Sequence, residues 1–327
     1  MVSIIITTYC GEKTIKKAIE SILKQSYQNF EILVVDDNFL SSNASNKTKE
    51  VLVKLNDNRI RYFQTGHYNG ARARNIGIKE AKGEYISFLD DDDIYLENRL
   101  EMCVETLQQH GEYDGVYTGV IIMQQSGRIT ECIIPKRSGS LQKELLCNRN
   151  LIGSGSNIFL RKKAIEDTGL FDENFMRFQD VEYMLRVMER HKIIAIQNLL
   201  VLKINNGGKN MPNPRKILQI YEQFLQKFEY IISKMNDKEK KLFYKSMVDC
   251  FAIDCKSKLK NDKETNEIIH KFENKCKNNI SLKCKLKIIV KNRMPRTREK
   301  IYDYMNLKNR LLLTPEEGKS LNLLIKE

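Results

Sequence analysis

Glu84-Tyr-Ile-Ser-Phe-Leu-Asp-Asp-Asp-Asp-Ile94 joins a short apolar run to four consecutive carboxylates. Tyr85 to Leu89, aromatic and β-branched residues set after Gly83, read as a buried strand. Asp90 to Asp93 cannot follow that strand into a core as they stand. Adjacent anions repel one another, and desolvating even one is costly unless a cation is supplied. An acidic run is usually a solvated loop. This one closes a buried strand, the place where ligands lie in open α/β sheets. Oxygen-only donors suit a hard divalent ion, Mg²⁺ or Mn²⁺, arriving with a phosphate-bearing substrate.

Upstream, the same grammar repeats. Val2-Ser-Ile-Ile-Ile-Thr-Thr-Tyr9 reads as a first strand, and Ile15, Ala18, Ile19 and Ile22 mark a helix within Lys13 to Gln25. Phe30 to Val35 is a second buried strand that ends in Asp36-Asp37. A polar loop over Asn38 to Thr48 precedes a helix carrying Val51, Leu52 and Leu55. Arg59 to Phe63 is a third strand, and Ala71 to Ala81 a helix stopped by Gly83. The order β-α-β-α-β-α-β predicts an α/β fold, a mostly parallel sheet with helices on both faces. Three polar strand ends, Thr7 to Tyr9, Asp36-Asp37 and Asp90 to Asp93, then meet along one sheet edge. A lone Asp-Asp after a strand is more often a turn or cap; three such ends together point to a nucleotide site.

These segments, with Ala18 to Tyr27, Ala73-Arg-Asn-Ile-Gly77, Gly169-Leu-Phe-Asp-Glu173, Gln179-Asp180 and Arg186, resemble the family 2 glycosyltransferases in order and spacing. The resemblance spans about the first 200 residues. It implies a GT-A fold, a nucleotide-sugar donor, a divalent metal and inversion at the anomeric carbon. By resemblance, Thr7, Tyr9 and Asp37 hold the nucleoside, with Asp37 on the base, and Arg74 lies beside the nucleotide. Asp90, Asp91 and Asp92 fall on the metal-and-ribose motif, with Asp92 as metal ligand, and Asp180 matches the catalytic base. Two positions depart from the pattern: Cys10 stands where Asn is common, and Asn38-Phe39-Leu40 where Gly-Ser is. As a loop carboxylate, Asp37 is expected to support no core.

The chemistry asks for the same groups. A departing nucleoside diphosphate gathers negative charge that a cation neutralises. An acceptor hydroxyl is a poor nucleophile until a carboxylate takes its proton. Asp180 opens a helix bearing Val181, Met184, Leu185 and Met188, where an acid is favoured for capping alone. If Asp180 is only a cap, Asp172 and Glu182 are the next candidate bases. Before it, Gly115 to Gln124 and Arg128 to Ile134 read as a hairpin around Ser126-Gly127. Ile152-Gly-Ser-Gly-Ser156 reads equally as an ordinary loop or as a wall of the acceptor pocket.

Charge divides the chain. Residues 1–205 carry 27 basic and 27 acidic side chains and residues 206–327 carry 28 and 15, so the net +13 sits in the last third. The expected domains are a GT-A nucleotide-sugar and catalytic domain at 1–205, a Gly/Pro-rich loop at 206–214, and a basic helical region at 215–327. Ile217, Tyr221, Phe224, Phe228, Ile231 and Met235 form one apolar stripe, and Phe243, Met247, Cys250 and Phe251 another, both read as helix packing. Residues 281–298 set Leu282, Leu286, Ile289 and Val290 against seven Lys and Arg, the profile of a helix drawn to anionic lipid. Val2 to Ile6, an apolar run with no cations before it, does not read as a signal peptide. Eight cysteines without a Cys-x-x-Cys pair predict reduced thiols.

The expected protein is therefore a cytoplasmic enzyme, peripheral at the inner face of the plasma membrane, that uses Mn²⁺ or Mg²⁺. It takes a sugar, most simply UDP-linked, to a cell-surface polysaccharide or lipid-linked glycan acceptor. A nucleotidyltransferase shares the strand-end aspartates but usually has a Gly-rich, Lys/Arg-containing loop where Thr-Thr-Tyr-Cys-Gly-Glu12 stands. A nucleic-acid-binding protein would explain the charge, but aromatics on apolar stripes do not suit it, and no nucleic-acid partner is expected.

Overall fold

Strand β1 (Val2–Thr8) is buried along its whole length except at Thr7, as suits a parallel strand covered on both faces. α1 (Ile15–Leu23) buries Ile15, Ala18, Ile19 and Ile22, the stripe that its spacing predicts. β2 (Phe30–Asp36) is buried throughout. α2 (Asn43–Leu55) begins inside the stretch expected to be loop. Its first turns are polar, so no apolar period announces them; the start is set by Ser42, whose side chain accepts a hydrogen bond from the Ser45 amide at 3.2 Å. β3 (Ile60–Gln64) leads to α3 (Gly70–Glu80), capped by Asn69, which accepts from the Arg72 amide at 2.9 Å. β4 (Tyr85–Asp90) is the apolar half of the acidic stretch.

This architecture comes from a computed structural model that describes residues 1–148, 150–205, 212–256 and 263–278. The first strands lie in the order β3-β2-β1-β4, all parallel. The chain moves outward from β1 to β3 and then returns to β1's other side, which makes the β1/β4 edge a topological switch point. In register, Thr8 faces Asp36 on β2 and Thr7 faces Asp90 on β4. Alternation along β1 covers both sheet faces. Ile4 and Ile6 share a core with Ile15, Ala18, Ile19 and Ile22 of α1, while Ile5 meets Gly77 of α3 on the other side.

The chain continues through β5 (Ile94–Tyr95), α4 (Arg99–Gln109), β6 (Gly115–Gln124) and β7 (Ile129–Ile133), the last two forming the expected hairpin. α5 (Gln142–Cys147), β8 (Phe159–Arg161), α6 (Lys162–Thr168), α7 (Gln179–Arg190) and β9 (Ile193–Asn205) follow. The nine strands of the described residues form one mixed sheet, β3-β2-β1-β4-β8-β6-β9-β5, with β7 on β6. Three-residue β8 pairs antiparallel with both β4 and β6 and so joins the parallel half to the rest. It is too short to carry a readable period.

Residues 1–142 and 150–205 pack as one unit. The other unit includes α8 (Pro214–Lys227), α9 (Glu229–Ile232), α10 (Asp237–Lys256) and α11 (Lys263–Asn278). Both predicted stripes are inside it: Ile217, Tyr221, Phe224, Phe228, Ile231, Met235, Phe243, Met247 and Phe251 are buried, and Cys250 is half-buried. Tyr221 packs edge-on against Phe251 at 4.9 Å and Phe272 at 5.6 Å. The basic stretch 281–298 and the loop residues 206–211 lie outside the described residues. Among the described residues no helix is long and apolar enough to cross a membrane, and every cysteine is unpaired.

A Cβ at Gly77 would stand 2.4 Å from Ile5 Cγ2, inside a fully buried contact. Gly77→Ala should therefore push α3 off β1 and destabilise the fold by about 1–3 kcal/mol despite alanine's better helix propensity. Urea unfolding measures this, and an unchanged or raised midpoint would refute the close packing.

Candidate active site

The four aspartates form a tight turn, closed by the Asp93 amide donating to the Asp90 carbonyl at 3.1 Å. Each is given different surroundings. Asp90 pairs with the Arg74 guanidinium at 2.8 Å, and Arg74, reaching over from α3, also donates to Gln179 at 3.0 Å. Asp91 turns toward the end of β1 and the loop that follows it, and Thr8, the last residue of β1, donates to it at 2.5 Å. That loop approaches so closely that a Cβ on Gly11 would lie 1.7 Å from Asp91 Oδ2. Asp93, 1% exposed, is a structural acid. It accepts from the Ser154 and Ser156 hydroxyls at 3.0 and 2.6 Å and from the Ile204 amide at 3.1 Å.

Charge is crowded here. Burial pushes Asp91 up to about 7 against the help of Thr8, and Asp90 adds repulsion. Burial, then Asp90 and Asp91, pushes Asp92 up to about 7. Asp93 is raised as well, chiefly by burial and then by Asp90. Among the described residues no three His, Cys, Asp or Glu side chains converge as a ready-made metal cage. Mg²⁺ and Mn²⁺ sites need none: one or two carboxylates plus substrate phosphates and water suffice. The acidic turn, which includes Asp90, paired with Arg74, and Asp92, supplies carboxylates of the kind that fit such an ion.

A cavity of about 320 Å³ opens beside the turn, lined by Arg74, Asp90, Gly155, Gln179, Asp180 and Lys203 among others. Asp180 lies in the first turn of α7, but it is not the N-cap. That position is Phe178, in left-handed backbone with φ 60° and no side-chain cap. Among the described residues Asp180 Oδ1 accepts only from the neighbouring Val181 amide, at 2.9 Å. The other nominated carboxylates are occupied: Glu182 is fully buried in a two-point pair with Arg186 at 2.6 and 3.1 Å, and Asp172 accepts from the Asn174 amide.

At the β2 end, Asp36 is buried and holds Asn38 and the Tyr62 hydroxyl. Asp37 does not behave as an unburdened loop carboxylate. It is 5% exposed, and its Oδ1 accepts from the Thr65 hydroxyl and, at 2.8 Å, from the Tyr68 amide. It thereby pins the loop carrying His67, itself in left-handed backbone with φ 69°. His67 stacks on the exposed ring of Tyr9 at 4.7 Å and meets Phe39 at 4.3 Å. Thr7 is half-buried opposite Asp90.

Sequence reasoning missed Thr8, Gly11, the Ser154–Ser156 brace and Lys203. Thr7 and Thr8 differ only in which sheet face they take, and the choice between them needs the register. Lys203 did leave a signal, a single cation within the apolar run Leu199–Ile204. Burial works to lower its pKa, but Asp93, Asp90, Asp180 and Asp92 together hold it above the ordinary value. The loop Ile152–Ser156 proves to be mainly a brace: Ser154 and Ser156 are buried, and Gly155 reaches the cavity.

Comparison with known proteins identifies the family. The profile described as Glycosyl transferase family 2 matches residues 3–169. An uncharacterized glycosyltransferase of Rickettsia felis is 30% identical over 72% of this chain, which spans only 40% of that protein's length. The Escherichia coli UDP-Glc:alpha-D-GlcNAc-diphosphoundecaprenol beta-1,3-glucosyltransferase WfgD is 33% identical over 50% of this chain and 66% of its own. Staphylococcus aureus TarS, residues 1–349 solved with UDP, superposes with a TM-score of 0.57 at 18% identity, covering 81% of this chain and 76% of that one. That likeness shows a shared fold. The profile match over half of the sequence shows that this chain belongs to glycosyl transferase family 2.

Proposed function

We propose that this glycosyltransferase is a metal-dependent, inverting enzyme that moves a sugar from a UDP-linked donor to a polysaccharide or lipid-linked glycan acceptor. One observation carries the reading: Asp90, at the strand-end turn, and Asp180, 90 residues further along, open on one cavity with Arg74 and Lys203. A leaving-group site and a base on one cavity are what a single displacement needs. The donor and acceptor classes are supported by relatives. WfgD's name gives a UDP-linked donor and a diphosphoundecaprenol-linked acceptor, and TarS was solved with UDP.

In this reading Tyr9, Thr7 and Asp37 hold the nucleoside, with Tyr9 offering an exposed ring face. Arg74 and Lys203 face the diphosphate side of the cavity. Asp92, with Asp90 beside it, holds Mn²⁺ or Mg²⁺, which would supply charge neutralisation at the departing diphosphate. Asp180 takes the proton of the acceptor hydroxyl at Oδ2, since Oδ1 is engaged by the Val181 amide. The hydroxyl oxygen bonds to the anomeric carbon as the bond to the diphosphate breaks, and configuration inverts. We assign residues 1–205 to this chemistry, 206–214 to a linker, and 215–327 to acceptor or membrane-surface contact, given the +13 carried after residue 205.

Asp180→Asn tests the base. Transfer to a glycan acceptor should fall by about 10²-fold or more. UDP affinity should barely change, and stability should move by less than about 1 kcal/mol, since no cap is lost. A near wild-type transfer rate would remove Asp180 from the mechanism.

The raised carboxyls predict a pH signature in metal-free protein. A group near 7 folded and 3.8 unfolded retains a proton that the unfolded chain releases, so stability falls as pH climbs from about 4 to 7. Asp92→Asn removes one such group. Its melting temperature should match wild type near pH 4 and exceed it at pH 8, by on the order of 1 kcal/mol in stability. Equal melting at pH 8 would show that the aspartates are not in conflict.

A further inference from the structure

Arg99, the first residue of α4, is 0% exposed. A guanidinium cannot shed its charge, so burying it calls for full compensation. Among the described residues, however, it makes no ion pair. Its Nη1 donates to the Thr118 hydroxyl at 2.7 Å and to Asn157 Oδ1 at 3.2 Å, and its Nη2 donates to the Ser156 carbonyl at 3.3 Å. Its plane lies over the Tyr95 ring at 4.6 Å, and its Nε has no hydrogen-bond partner among the described residues. An apolar residue of similar volume would remove that orphaned donor. The fork is therefore explained by what it grips.

It grips the 3-10 turn Gly155–Asn157. Asn157 is fixed further, accepting from the Thr118 amide at 2.9 Å and hydroxyl at 2.8 Å and donating to the Thr118 and Ile152 carbonyls at 2.7 and 2.8 Å. On the other side of that turn, the Ser156 hydroxyl donates to Asp93 at 2.6 Å and accepts from the Asp90 amide at 3.0 Å. One residue thus separates the buried cation from both ends of the acidic turn.

We propose that Arg99 is a positioning residue for the donor site: it sets the Ser156 hydroxyl, through Ser156 the placement of Asp90 and Asp93, and so the geometry in which the turn meets the donor diphosphate. The inference rests on the reading of that turn as the donor site. Arg99 touches no substrate; it acts by holding a small relay at the correct height. Lysine would keep the charge but lose the planar fork that reaches Thr118, Asn157 and Ser156 at once.

The test is calorimetric titration of UDP in the presence of Mn²⁺ into wild type, Arg99→Lys, Ser156→Ala and the double variant. Each is checked for its fold by circular dichroism and melting. Arg99→Lys should weaken UDP by about tenfold, and the double variant should be no weaker than the worse single, because the two residues form one relay. With activity as readout, KM for the donor should rise while KM for the acceptor holds. Should Arg99→Lys fail to fold, Thr118→Val, which removes an acceptor from the fork together with the hydroxyl's bond to Asn157, should weaken UDP in the same direction. Unchanged UDP affinity in the folded variants, or losses that add, would overturn the role of Arg99. Failure of wild type itself to bind UDP would instead overturn the donor-site reading.

Discussion

Mutual repulsion among four successive carboxylates at the end of a buried strand is the constraint around which the N-terminal unit is built. Such a cluster is tolerable only if its members are given separate partners or share a cation. The fold does the first. Asp90 is turned to Arg74 of α3, Asp91 to Thr8 of β1, and Asp93 to the Ser154–Ser156 turn and the β9 backbone. Four elements distant in sequence are thereby tied to one turn. Lys203 adds a fixed cation facing Asp90, Asp92, Asp93 and Asp180. Burial first, and repulsion from the neighbouring carboxylates after it, holds Asp91, Asp92 and Asp93 near 7, and that unfavourable energy is what a bound cation would reduce.

Much of this arrangement was legible from the chain. Apolar runs ending in polar clusters gave β1, β2 and β4, and their parallel pairing puts Thr7, Thr8, Asp36 and Asp90 side by side. The helical spacing in α1 and in the C-terminal stripes carried through to burial because packing and period agree there. The failures have physical causes. α2 starts on a serine cap within polar sequence, and β8 is three residues long, so neither shows a period.

The site was less legible than the fold because roles within it depend on side-chain direction. Composition and spacing do not tell the four aspartates apart, and the family resemblance singles out only Asp90 to Asp92; the hydrogen bonds separate them, and Asp93 proves to be internal scaffolding. The same holds for Asp37, whose Thr65 and Tyr68 contacts make it both a nucleoside candidate and a loop anchor. A stability change at Asp37 therefore does not separate structure from binding, whereas Asp180, hydrogen-bonded among the described residues to a neighbouring amide, separates them well. Arg99 and Ser156 belong to a layer beneath the site that no local pattern announces, because their partners are far apart in the chain.

The central claim is that the acidic turn binds a nucleoside diphosphate together with a divalent ion held mainly by Asp92. Titrating UDP into wild type and Asp92→Ala, each with and without Mn²⁺, addresses it directly. The account predicts tight binding only in wild type with Mn²⁺, weakened by about tenfold or more when either the ion or the carboxylate is removed. Equal affinity in all four titrations would contradict it.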